Sequence, residues 1–149
     1  TNKSAETYAG VKVDDQWHNY QVFAEWYALH SERFFINGIT PKVDKDLIGT
    51  GKLYSENTCV LLPNNVNCIL ADSRVTSSFS HGVRFMCGRY FSEIMLNGKH
   101  TPLGSYDNPL DAALAYKRAK QKHLKVMAEK YKQCLSEQAY KALYNWGEQ

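Results

Sequence analysis

The stretch RYFSEIMLNGKHTPLGSY, residues 89–106, restricts the fold more than any other part of the chain. Two runs of strand-like alternation flank Asn97-Gly98. Both central residues of a type I′ turn need positive φ, and Asn-Gly meets that need at little steric cost. The stretch therefore reads as an antiparallel hairpin. HGVRFM (81–86) has the same character and gives three strands at 81–86, 89–96 and 99–106. Pro102 has no N–H to donate, so the third strand belongs at a sheet edge. Alternation sets Arg89, Phe91 and Glu93 on one face and Tyr90, Ser92 and Ile94 on the other. Ile94 marks the core side, so Arg89 and Glu93 point outward and Tyr90 falls inside or at the rim.

A helix follows the hairpin. Asn108 is an N-cap, Pro109 occupies the first helical position, and Asp111 sits near the positive helix end. The run extends to about residue 135, with Leu110, Ala113, Tyr116, Ala119 and Met127 as its buried side. Ser136-Glu137 opens a short terminal helix carrying Ala139, Leu143 and Trp146.

The first half is less regular. Residues 12–30 read as a helix capped by Asp14 or Asp15, with Trp17, Tyr20, Phe23, Ala24 and Tyr27 as an apolar stripe. Trp26 lies off the centre of that stripe. Residues 31–72 are punctuated by Gly, Pro and Asn and read as loops, with a short strand near 58–62 and a short helix at 64–70. The small polar run at 71–80, which contains Arg74, reads as a linker.

Composition removes several classes. Among 149 residues there is no run of about 18 apolar ones, so no membrane span is expected. The opening TNKSAETYAG lacks a signal-peptide pattern, which points to the cytoplasm. The four cysteines show no CxxC spacing, so reduced thiols are expected rather than a zinc site. Charge is divided unevenly. Residues 1–72 carry 6 Lys/Arg against 9 Asp/Glu, a net of −3; residues 73–149 carry 12 against 6, a net of +6. A basic half points to a polyanion such as nucleic acid, although a solvated Lys-rich helix gives the same excess.

Several blocks in residues 82–119 carry a resemblance: Gly82-Val83-Arg84, Gly88-Arg89-Tyr90, Glu93-Ile94, Asn97-Gly98-Lys99, Leu103-Gly104-Ser105-Tyr106 and Ala112-Ala113-x-Ala115-Tyr116-x-x-Ala119. In order and spacing they resemble the DNA-binding domain of plant ethylene-response factors. Phage and mobile-element endonucleases carry a similar domain. The resemblance implies a three-stranded sheet packed on one helix, with the exposed face of the sheet reading the major groove of double-stranded DNA. A small antiparallel ribbon fits that groove. On this reading Arg84 and Arg89 make bidentate contacts to guanine or phosphate. Lys99 and His100, just past the turn, reach the backbone, and Arg74 is counted with them.

A second resemblance covers about residues 6–70. TYAGVKVDDQWHNYQVFAEWY followed by KVDKDLIGTGKLYSENTCVLLPNNVN looks like phage proteins related to HNH homing endonucleases. In that superfamily a strand ends in Asp-His, an Asn follows after a loop, and a helix bears a final Asn or His. The Asp and the last residue hold a divalent metal, and the His activates water. Asp44 matches the Asp, Asn57 the middle Asn, and Asn67 the last residue; these oxygen donors suit Mg²⁺. Lys45 stands in the general-base position, which departs from the motif. An ordinary Lys is protonated at neutral pH and accepts no proton from water. Neighbouring carboxylates on Asp44 and Asp46 favour that protonated form. His18, His30 or His81 could replace the base in space. Three readings of VDKD stay open: a structural turn, a metal-holding remnant, and an active nuclease. The segment upstream of the motif in family members is expected to be absent here.

The expected architecture is α+β. A degenerate HNH-like ββα module occupies 1–72 and a linker 73–80. A three-stranded antiparallel sheet on a long helix occupies 81–135, and a terminal helix 136–149. The expected function is double-stranded DNA binding by a phage protein in its host's cytoplasm, with little or no cleavage. A Mg²⁺-dependent endonuclease and an inhibitor of a host protein are the alternatives.

Overall fold

Two tight turns in succession build the sheet. A computed structural model describes residues 8–71 and 79–148 of the protein. The described residues up to 64, with 131–142, make one compact unit, and the described residues from 65 to 130, with 143–148, make the other. The protein is α+β.

In the second unit, strands β5 (Val83–Met86), β6 (Arg89–Leu96) and β7 (Lys99–Tyr106) form an antiparallel sheet in the order β5-β6-β7. Asn97 and Gly98 have φ of 50° and 75°, the left-handed values that the β6–β7 turn needs. Cys87 and Gly88, at 52° and 76°, make the equivalent turn between β5 and β6. Pro102 lies on β7, an edge strand, as its missing donor requires. A register shift beside Ser92 and Glu93 leaves Leu103 without an opposite residue, a local bulge that bends the strand.

The helix Pro109–Lys130 packs against all three strands of this sheet. It begins as the sequence predicts: the backbone N–H of Leu110 donates to Asn108 Oδ1 at 2.8 Å. Its end and its buried face differ from expectation. The helix stops at Lys130 instead of running to 135. Its buried residues are Ala112, Lys120, Leu124, Met127 and Ala128, while Leu110 is 73% exposed. The chain continues as a turn and then the helix Glu137–Tyr144, whose first turn is capped by Ser136 Oγ accepting from the Ala139 amide. Lys120 is buried with its ammonium over two aromatic rings, Trp146 at 4.7 Å and Tyr116 at 6.0 Å. Gly82 sits at φ +74°, where a Cβ would collide with the Tyr116 ring and lie 2.7 Å from the Glu93 carbonyl oxygen.

The first unit holds two small pairings. Strands β1 (Lys12–Val13) and β3 (Leu53–Tyr54) run parallel, and β2 (Lys42–Asp44) pairs antiparallel with β4 (Val60–Leu62). The expected helix over 12–30 is corrected here. Residues 12–13 are drawn into an extended pair with 53–54, and a 3-10 turn follows at Asp15–His18. The α-helix α1 then spans Tyr20–Ile36, so part of the region read as loop is helical. Two short polar side chains set these starts. Asp14 Oδ1 accepts from the Gln16 amide at 2.9 Å, and Asn19 Oδ1 accepts from the Gln21 amide at 3.0 Å. The apolar stripe shifts with the helix. Trp17 is buried ahead of α1 and packs on Trp26 at 4.8 Å, while Tyr20 is exposed. Helix α2 (Asn64–Leu70) follows β4 in the chain, over the span read from the sequence, and from Asn65 on belongs to the second unit.

No helix among the described residues is long and apolar enough to cross a membrane.

Candidate nucleic-acid interface and the Asp44 turn

Cross-strand partners in an antiparallel sheet share a face. Val83 lies opposite Ser92, and Ser92 and Ile94 are buried, so that set faces the helix Pro109–Lys130. The opposite face carries four rows. Met86 pairs with Arg89; Arg84, Phe91 and Ser105 lie side by side; Glu93 pairs with Pro102; and Met95 pairs with His100. Arg84, Arg89 and His100 are all exposed. Lys99 is exposed too, but its partner Leu96 places it on the helix-side register at the turn. Tyr90 is half-buried and packs edge-on to Phe79 at 5.2 Å and against Phe85 at 4.8 Å. Arg74 lies outside the described residues.

The two arginines differ in what already holds them. Each nitrogen of the Arg89 guanidinium already has a partner: Nε donates to Ser105 Oγ at 3.2 Å, Nη2 donates to the Ser105 carbonyl at 3.1 Å, and Nη1 lies 2.9 Å from Asp107 Oδ1. Among the described residues Arg84 is held by Glu93 alone, at 3.6 Å. Its fork is the more available for a ligand. Sequence alternation placed Phe91 on this face. It gave no sign of Asp107, which lies just past β7 and reaches Arg89 only because the strands pair.

In the first unit, β2 ends at Asp44. Its carboxylate is largely buried, and Oδ2 accepts from two backbone amides, Asp46 at 3.1 Å and Leu47 at 2.8 Å. These bonds close the turn. Burial nonetheless pushes the carboxyl above its usual pKa of 3.8, with the Leu47 and Asp46 amides pulling the other way. Lys45 Nζ contacts both carboxylate oxygens of Asp46, at 2.9 and 3.1 Å, and lies 5.6 Å from the centre of the Tyr54 ring. Partial burial works to lower the Lys45 pKa, but the hydrogen bond and charge of Asp46 outweigh it, and the net shift is upward from 10.5. Asn57 is exposed in the turn between β3 and β4, and Asn67 lies on α2 in the second unit.

For Mg²⁺ the fit around Asp44 is poor. One oxygen of its carboxylate already serves two amides, and a cation occupies the next position in the chain. Among the described residues, no group of three or more His, Cys, Asp or Glu side chains could hold a metal ion. The first unit also has an open groove of about 630 Å³ between the second half of α1 and residues 134–138. His30 lines it, with Nδ1 2.7 Å from the Trp26 carbonyl; Asp44 and Lys45 do not.

No protein-family model, curated protein or solved structure matches the chain.

Proposed function

We propose that the protein binds double-stranded DNA through the outward face of β5-β6-β7 and does not cut it, as a derivative of an HNH endonuclease acting for a phage in the host cytoplasm. The observation that carries this reading is the composition of one face: Arg84, Arg89 and His100 stand on a ribbon whose other side is filled by a helix. Such a ribbon has the width and donors for a major groove, and the +6 half of the chain supplies the electrostatic attraction. The likeness of residues 82–119 to ethylene-response-factor domains supports the same face. The Asp46-bound, protonated Lys45 supports the absence of cleavage, because general-base catalysis contributes about 10²–10⁴-fold and this ammonium has no lone pair to offer.

The test is a binding series on labelled duplex across KCl concentrations, run beside nicking of supercoiled plasmid with and without Mg²⁺. Arg84→Ala should weaken binding by about 1–3 kcal/mol. A flat salt response would point to the alternative, a host-protein partner. Nicking by the parent chain, abolished in Asp44→Ala, would replace this reading with the Mg²⁺-dependent nuclease.

A further inference from the structure

On the outer sheet face an apolar side chain stands in the same row as each basic one: Met86 beside Arg89, Phe91 beside Arg84 and Met95 beside His100. Met86 is 47% exposed and Met95 52%, and they pair across strands with Arg89 and His100. Phe91 stands half-buried between Arg84 and Ser105. None of the three turns toward the helix. In the major groove the one apolar group offered by the bases is the 5-methyl of thymine. We propose that Met86, Phe91 and Met95 read thymine methyl groups, so that the target is a mixed site in which thymines flank a guanine contacted by Arg84. This inference rests on the DNA-binding reading above. The dimensions agree with a short site. From Arg89 to Met95 along β6 is six residue steps, or about 20 Å at ~3.4 Å per step. That length spans about six base pairs at ~3.4 Å each.

The test starts from duplexes selected by the intact chain out of a random pool. The winning duplex is then remade with deoxyuridine for every thymidine, which keeps base pairing and phosphate charge but removes each methyl. Each buried methyl contributes about four-fold in affinity, so loss of three together should weaken binding of the uracil duplex by the parent chain about sixty-fold. The Met86→Ala/Met95→Ala variant, with its fold checked by circular dichroism, should lose most of that discrimination and keep its salt dependence. Equal binding of both duplexes by the parent chain, a selected site without thymine, or undiminished discrimination in the variant would each overturn the inference while leaving DNA binding intact. No duplex binding at all would overturn the DNA-binding reading itself, and this inference with it.

Discussion

Asp107→Asn should tighten DNA binding, because Asp107 competes with DNA for Arg89. All three nitrogens of the Arg89 guanidinium are engaged on its own sheet, and the ionic part of that engagement is the 2.9 Å contact with Asp107. To turn the Nη1 donor now on Asp107 to a base or a phosphate, Arg89 must release that carboxylate. The pair is largely solvated, with Asp107 88% exposed, so breaking it costs only about 0.2–1 kcal/mol. Removing that cost strengthens binding by up to about five-fold, and loss of a carboxylate beside the phosphates acts in the same direction. If the freed Arg89 neutralises a phosphate, the slope of log K against log salt steepens by about 0.9. Fluorescence anisotropy of a labelled duplex at four or five KCl concentrations reads both quantities. Weaker binding by a folded Asp107→Asn chain would refute the reasoning, showing that Asp107 orients the fork for its contact. Unchanged affinity and slope would place Arg89 outside the interface.

Two further expectations concern the fold. Asp44 has a raised pKa in the folded state, so the native protein holds its proton to higher pH than the unfolded chain does. Its contribution to stability therefore falls as pH rises from 3.8 through the folded value, and is level above that. Asp44→Asn keeps an acceptor for the Asp46 and Leu47 amides without burying a charge, so at neutral pH it should be at least as stable as the parent and lack this pH dependence. Asp44→Ala should lose about 1–3 kcal/mol, since two amides lose their acceptor. Urea unfolding from pH 3 to 8 distinguishes them, and equal losses in both variants would contradict the turn-closing role. Gly82→Ala combines a left-handed backbone with a collision against Tyr116, and should destabilise the sheet-and-helix unit by about 2–5 kcal/mol in urea unfolding. A loss below about 1 kcal/mol would mean that the ring moves aside freely.

The sequence by itself determined those features whose causes lie within a few residues. Asn97-Gly98 fixes a left-handed turn, Pro102 bars a central strand, and Asn108-Pro109 starts a helix, because each acts through its own backbone angles or the nearest amides. Strand alternation likewise set the outward faces of Arg89, Phe91 and Glu93. Tertiary structure decided what depends on a distant partner. Residues 12–13 are extended because 53–54 lie beside them, which moves the start of the first α-helix to Tyr20. Leu110 is exposed and Lys120 buried on one helix, since burial follows what packs against each position: the Lys120 ammonium lies over the rings of Tyr116 and Trp146, whereas in the first turn it is Ala112, not Leu110, that faces inward. The state of Arg89 belongs to the same group. Pairing of β6 with β7 brings Ser105 and Asp107, 16 and 18 positions further on, within hydrogen-bond reach of its guanidinium, and no local pattern encodes that distance.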